Sequence, residues 1–113
     1  MREVKFKFWL GHTKKMTYEH TIIEISNAHW DFTEDIIPLQ FTGLKDKNGK
    51  EIYESDIDQD GGRIFYNESI AAFQIDYGGD VDIADMEDVD KWMVVSGNIY
   101  ESPELLNPLK QQS

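Results

Sequence analysis

The 113-residue sequence contains no cysteine. This absence excludes disulfide frameworks, thiolate nucleophiles and cysteine-based zinc sites, and it fits a reducing cytoplasm. No apolar run approaches the roughly 20 residues that span a bilayer. The opening segment also lacks the apolar core and the cleavage site of a signal peptide. We therefore expect a soluble cytoplasmic protein that forms one domain, as is usual for this length.

Basic residues are scarce, since 11 Lys and Arg stand against 22 Asp and Glu and give a formal net charge of -11. Such a charge repels nucleic acid and anionic membrane surfaces, so neither is an expected direct partner. Basic side chains are concentrated before position 20, whereas Arg63 is the only one between Glu54 and Asp90. The asymmetry predicts an acidic half that attracts a basic protein or the basic end of a second copy. The alternative is that the charge serves solubility alone.

The familiar signatures of catalysis are missing as well. No serine lies in a G-x-S-x-G elbow and no phosphate-binding P-loop is present. The three histidines, His12, His20 and His29, are too scattered to bind a metal from one strand or helix. The sequence therefore predicts a protein that is not an enzyme and has no obligatory cofactor.

Short segments of alternating apolar and charged residues are present, and turn residues separate them. Residues 3–8 alternate as a half-buried strand does. The pair Asn48-Gly49 predicts a hairpin whose return strand is residues 51–57. Residues 92–99 predict a last strand with a bulge at Gly97, and Ser102-Pro103 begins a short helical turn. This pattern favours a mainly β fold, either a small SH3-like barrel or a partly open barrel of short antiparallel strands, with a short C-terminal helical turn.

We divide the predicted domain, residues 1–113, into three parts. Residues 1–35 form an N-terminal hairpin region, residues 36–106 form the β core, and residues 107–113 form a tail that we expect to be frayed. Residues 21–35 are the hardest to interpret. Their isoleucines at 22, 23 and 25 suggest a short strand, and residues 27–30 suggest a loop.

Three blocks of sequence carry a resemblance to a known family: REVKFKFW at residues 2–9, QFTGLKDKNGKEIYE at residues 40–54 and GNIYESPELL at residues 97–106. On these residues the chain resembles the YopX family of phage and prophage proteins of Gram-positive bacteria and their viruses. The resemblance implies a mainly β fold, a tendency to form homo-oligomers and a place among accessory phage genes with no established biochemical activity. The family usually continues its Ile-Tyr-Glu with Gly-Asp-Ile and an apolar residue, whereas this chain has Ser55 and the acidic Asp58 at the outer two positions.

Residues 56–61 match the first six positions of an EF-hand calcium loop, with Asp56, Asp58 and Asp60 at alternate places and Gly61 at the turn. The twelfth position, where a bidentate glutamate belongs, is Asn67, and the preceding segment predicts a strand instead of a helix. The three aspartates are thus candidate Ca²⁺ ligands, or ligands of a metal that activates water in an enzyme. The alternative is an acidic hairpin turn.

A second acidic cluster follows in the chain and consists of Asp80, Asp82, Asp85, Glu87, Asp88 and Asp90. It predicts either a solvated face or a docking surface for a basic partner. We therefore expect a phage or prophage accessory protein that works as a homo-oligomeric protein-binding module and uses this acidic surface to bind a host or phage protein. The alternatives are a nucleic-acid mimic that inhibits a DNA- or RNA-binding protein and, less favoured, a metal-dependent enzyme.

Overall fold

The computed structural model describes residues 5–11, 13–18, 36–78 and 83–106. The predictions for residues 21–35, for the three histidines, for Asp80 and Asp82 and for the tail at residues 107–113 lie outside these ranges. Within the described ranges, no helix is long and apolar enough to cross a membrane.

Nine strands, one short α-helix and one 3-10 turn make up the described part of the chain. The strands are β1 (Phe6–Leu10), β2 (Lys15–Tyr18), β3 (Ile36–Lys45), β4 (Glu51–Tyr53), β5 (Asp56–Asp58), β6 (Arg63–Asn67), β7 (Ala72–Asp76), β8 (Ile83–Asp85) and β9 (Val95–Asn98). The helix α1 (Val89–Trp92) lies between β8 and β9, and the 3-10 turn (Pro103–Leu105) follows β9.

The strands form two antiparallel sheets, the first in the order β2-β1-β3-β4 and the second in the order β8-β7-β6-β5-β9. The prediction of a mainly β fold, a partly open barrel of short antiparallel strands with a short helical turn after the last strand, is confirmed. The predicted hairpin is also confirmed, because β3 and β4 pair across a turn in which Gly49 has a φ of +81°. A residue with a side chain is strained at such an angle, so glycine fits this position.

The predicted strand at residues 51–57 is divided in two. It ends at Tyr53 and resumes at Asp56, because Ser55 takes the left-handed conformation with a φ of 72°. As a result β4 belongs to the first sheet and β5 to the second. The last strand is likewise shorter than predicted, since α1 extends through Trp92 and β9 begins at Val95.

The predicted bulge near Gly97 is confirmed by the pairing of β9 with β5. Ile57 lies opposite Gly97 and Asp58 lies opposite Val95, so residue 96 is the extra one on β9. The absence of a side chain at Gly97 allows the chain after β9 to approach closely, since a Cβ added there would lie 2.9 Å from the Leu105 side chain.

One hydrophobic cluster joins the two sheets and consists of Ile52, Ile64, Phe73, Ile75, Val89, Met93 and Val95. Ile52 comes from β4 in the first sheet, whereas the others come from β6, β7, β9, α1 and the residue after it. Burial of this apolar area is the main favourable contribution to folding. The strands β4 and β5 are adjacent in the chain but lie in different sheets. The cluster therefore helps to fix the position of the segment around Asp56 between the two sheets.

Candidate functional site

Three aspartates in the described part of the chain are almost fully buried: Asp46 is 3% exposed, and Asp56 and Asp58 are each 2% exposed. Aspartate is rarely buried to this extent unless it is paired, because a charge loses its hydration when it leaves water. The partners of each carboxylate therefore show whether it supports the fold or contributes to a site.

Asp46 holds the β3–β4 turn against β9. Its Oδ1 accepts hydrogen bonds from the backbone N–H groups of Asn48 and Lys50, both at 2.9 Å, and its Oδ2 accepts one from Val95, also at 2.9 Å. Burial raises the pKa of Asp46, but these hydrogen bonds and the charge of Lys50 outweigh burial, so the pKa lies below its ordinary value of 3.8. Asp46 is therefore a structural residue.

Asp58 closes the β5–β6 turn. Its Oδ1 accepts hydrogen bonds from the N–H groups of Asp60 and Gly62, both at 2.9 Å, and its Oδ2 accepts one from the Tyr77 hydroxyl at 2.6 Å. The Asp60 side chain is exposed. The Asp56 side chain has different partners, Lys7 and Tyr53. The three candidate calcium ligands are thus arranged around an acidic hairpin turn.

The structure does not bring Asp56, Asp58 and Asp60 together as a metal site. In the described ranges no group of three or more His, Asp or Glu side chains is placed to hold a metal ion. Binding of Ca²⁺ by this loop stays a prediction.

Asp56 lies in the wall of a cleft of about 420 Å³. Six of the polar residues in its lining come from separate segments: Lys7 from β1, Tyr18 from β2, Lys50 from the β3–β4 turn, Asp56 from β5, Asn98 from β9 and Glu101 from the segment after β9. Lys7, Tyr18 and Lys50 belong to the first sheet or to its β3–β4 turn. Asp56, Asn98 and Glu101 belong to the second sheet or to the segment after it. The cleft therefore lies where the two sheets meet.

An ion pair at the cleft links the two sheets. The Nζ atom of Lys7 lies 3.4 Å from Oδ1 of Asp56, and the two side chains are 12% and 2% exposed. The same Nζ lies 4.6 Å from the centroid of the Tyr53 ring, a cation–π contact. Oδ2 of Asp56 accepts a hydrogen bond of 2.8 Å from the Tyr53 N–H. Burial raises the pKa of Asp56, and the charge of Lys7 and the Tyr53 hydrogen bond offset only part of that effect.

The raised pKa of Asp56 predicts an unusual pH dependence of stability. Between the raised pKa and the ordinary value of 3.8, the folded protein binds a proton that the unfolded chain does not. The contribution of Asp56 to the free energy of unfolding therefore increases as the pH falls through this interval. We expect Asp56→Asn to remove this contribution, which urea unfolding at a series of pH values measures as the difference between wild type and variant.

The exposed Asp60 provides the matched control, because Asp60→Asn makes the same chemical change outside the buried pair. That variant is expected to keep the pH dependence of the wild type. If Asp56→Asn and wild type follow parallel curves, the pKa of Asp56 is not raised and the interpretation of the pair is wrong.

The second acidic cluster is exposed in its described part. Asp85 is the last residue of β8, Glu87 and Asp88 precede α1, and Asp90 lies in its first turn. We call these four residues the acidic face. Few internal contacts restrain them: Oδ1 of Asp85 accepts a hydrogen bond of 2.8 Å from Gln74, and Asp88 lies 3.9 Å from Lys91.

Sequence reasoning missed the cleft and the buried ion pair. The alternation in residues 3–8 predicts that the phenylalanines of β1 face the core and that its lysines face solvent. In the structure Phe6 and Phe8 are only half-buried. Trp9 is buried and is two residues from Lys7, so both point to the same side of β1. A tryptophan at that spacing was the one local signal that Lys7 faces the interior.

Comparison with known proteins gives a family and a fold. The profile of the YopX family, described as YopX protein, matches residues 8–107. Among solved structures, the crystal structure of protein EF1440 from Enterococcus faecalis is similar, with a TM-score of 0.64 and 24% sequence identity over 94% of this chain and 99% of that one. A likeness at this identity shows the shared fold alone. A search of curated proteins finds no match.

Proposed function

The chain belongs to the YopX family of phage-type proteins, and on that premise we propose that it is a phage or prophage accessory protein acting in the host cytoplasm as a homo-oligomeric protein-binding module without enzymatic activity. Its acidic face binds a basic surface on a partner. The observation that carries this proposal is the exposure of four carboxylates within six residues of the chain, with one nearby cation.

Electrostatics support the acidic face as a binding surface. Lys91 and Asp88 are 3.9 Å apart, and their side chains are 73% and 63% exposed. An ion pair this exposed is screened by water and leaves most of the local negative potential available. With a formal net charge of -11 on the whole chain, the potential attracts basic partners over a Debye length and speeds their encounter.

The position of β8 adds a second binding element. Among the described strands β8 ends the second sheet, with β7 as its only neighbour. The outer edge of such a strand presents backbone N–H and C=O groups that can pair with an extended segment of another protein. Ile83 is 47% exposed on this strand and offers an apolar contact beside the carboxylates.

A second copy of the chain is one partner with the required charge. Lys14 and Lys15 are exposed at the β1–β2 turn of the first sheet. The acidic face begins at Asp85 in the second sheet and continues into α1. Contact between the basic turn of one copy and the acidic face of another joins two different surfaces, which produces a ring or an open chain of subunits. Because charge drives this contact, salt weakens it.

The replacement of two acidic-face residues tests this proposal. We expect light scattering to show a multimer at about 0.05 M salt that dissociates towards a monomer at about 0.5 M salt. Glu87→Lys with Asp90→Lys should weaken the association about tenfold or more, because the lysines repel the basic surface. The exposed pair Asp60→Lys and Glu68→Lys makes the same charge change outside the acidic face and should leave the mass unchanged at low salt.

Three outcomes count against the proposal. A monomer at both salt concentrations would contradict homo-oligomerisation. Equal effects of the two double variants on the mass would show that the acidic face is not the contact surface. A mass that changes only when millimolar Ca²⁺ is added would instead favour metal binding at the loop of residues 56–61.

A further inference from the structure

The cleft between the two sheets has the size of a small-molecule site. Its volume of about 420 Å³ lies within the range of about 300–1,000 Å³ that is usual for such sites. Neither the acidic face nor β8 contributes to its lining. Any ligand of this cleft therefore binds away from the acidic face.

Among the described residues of the lining the charges are balanced, with two cations and two anions. Lys7 and Lys50 provide the positive groups, and Asp56 and Glu101 provide the negative ones. A ligand with a single charge meets two groups that attract it and two that repel it. A small molecule that carries both charges can place each one beside groups of opposite sign, so the lining selects for a zwitterion.

The carboxylates of the cleft are held in place by the fold. Asn98 donates from Nδ2 to Oε1 of Glu101 at 2.7 Å, and its own Oδ1 accepts from the N–H groups of Tyr100 and Glu101 at 3.0 and 2.9 Å. On the other side, the Tyr53 N–H fixes Oδ2 of Asp56 at 2.8 Å. Preorganised groups bind more tightly because little side-chain freedom is lost when the ligand arrives.

Asp56 also keeps capacity for another donor. Its contact with Lys7 measures 3.4 Å, whereas a strong hydrogen bond between an ammonium and a carboxylate measures about 2.7–2.9 Å. An ionised carboxylate has about four acceptor positions, and the contacts with Lys7 and Tyr53 use two of them. Because the Asp56 side chain is only 2% exposed, it attracts a ligand ammonium through its charge, and the exposed Glu101 provides the direct contact.

An aromatic side chain completes the cleft. Tyr18 lies in the lining and is 57% exposed. A partly exposed aromatic ring provides apolar area for the carbon atoms of a ligand. The cleft therefore combines a charge-balanced polar wall with an apolar contact.

We propose that the cleft binds a small zwitterion with one ammonium and one carboxylate group, the chemistry of a free amino acid. The ligand ammonium contacts Glu101 and the ligand carboxylate contacts Lys50, because these two side chains are exposed. The buried charges of Asp56 and Lys7 attract the same two ligand groups. Tyr18 packs against the remainder of the ligand.

The first experiment tests the contribution of each of the two ligand charges in turn. Isothermal titration of the full chain is made with free amino acids of small, apolar and charged side chains, and then with the amide and the N-acetyl derivative of the best binder. The amide lacks the carboxylate charge and the N-acetyl derivative lacks the ammonium. We expect each derivative to bind at least tenfold more weakly than the parent amino acid. No binding by any amino acid at about 10 mM, or equal binding by either derivative, would overturn the proposal.

The second experiment locates the ligand with variants at exposed positions, where folding is least disturbed. Lys50 and Glu101 are both exposed, and Lys50→Met or Glu101→Gln should each weaken binding of the amino acid about tenfold. Lys45→Met and Glu68→Gln make the same changes at exposed positions outside the cleft and should leave the affinity unchanged. If all four variants bind equally, the amino acid does not occupy this cleft.

A third variant tests whether ligand binding in the cleft is independent of partner binding at the acidic face. Glu87→Lys with Asp90→Lys alters the acidic face and should bind the amino acid with wild-type affinity. Conversely, Lys50→Met should keep the wild-type mass in light scattering. A loss of ligand binding in the acidic-face variant would contradict the assignment of the ligand to the cleft.

Discussion

Asp46→Ala is expected to lower the free energy of unfolding by about 3–5 kcal/mol, because the substitution removes the acceptor of three hydrogen bonds at once. Each of these bonds joins a backbone N–H to an ionised carboxylate, the stronger class of hydrogen bond. The N–H of Val95 is buried and would be left without a partner in the variant. Asn48 and Lys50 would lose the bonds that shape their turn.

Urea unfolding followed by circular dichroism measures this effect. Asp60→Ala is the matched control, since Asp60 is exposed, and it should change the free energy of unfolding by less than about 0.5 kcal/mol. Asp46→Asn keeps one oxygen as an acceptor, so its change in the free energy of unfolding should lie between those of Asp46→Ala and Asp60→Ala. A cost for Asp46→Ala that is no larger than that of Asp60→Ala would show that the turn holds its position on β9 without this carboxylate.

Acid should act on Asp46 and Asp56 in opposite directions. The pKa of Asp46 is lowered in the folded protein, so its stabilising contribution is complete above 3.8 and is lost as the pH falls through the folded value. The pKa of Asp56 is raised, so its contribution increases as the pH falls towards 3.8. Three backbone N–H groups and the charge of Lys50 outweigh burial at Asp46, whereas burial outweighs the Lys7 charge and the Tyr53 N–H at Asp56.

Features that depend on a few adjacent residues could be predicted from the sequence. The turn at Asn48-Gly49 needs a positive φ, and the pair of residue types that tolerates it is visible in the chain. The bulge at Gly97 follows from the same kind of reasoning, because glycine within a strand marks a close approach of other atoms. The acidic face was also predictable, since its four residues lie within one short segment.

Features that depend on distant parts of the chain could not be predicted in this way. The left-handed φ of Ser55 divides an apparently continuous strand, and serine carries no local signal for this conformation. Lys7 and Asp56 are separated by 49 positions, so their pairing exists only once β1 and β5 are in place. The cleft draws its lining from segments spread between β1 and the residues after β9, which is why it appeared only with the structure.

Gly62→Ala is expected to lower the free energy of unfolding by about 3 kcal/mol through crowding. A Cβ at this position would lie 2.6 Å from Cγ2 of Ile75 and 2.6 Å from Cε1 of Tyr77. Ile75 is fully buried in the hydrophobic cluster, so it has little room to move away. If Tyr77 moves instead, its hydrogen bond to Asp58 is lost. Either response lowers stability, and thermal and urea unfolding measure the cost.

Two further variants identify crowding as the cause. Gly43→Ala places a methyl group at a φ of +89° with no atom within 4 Å, so its cost of about 1 kcal/mol comes from backbone strain alone. Ile75→Ala removes one of the atoms that the new methyl group would meet, and Gly62→Ala should therefore cost less in that background than in the wild type. If the costs of Gly62→Ala and Ile75→Ala are additive, Ile75 does not limit the space at Gly62. In that case the close approach of β7 does not explain why glycine occupies this position.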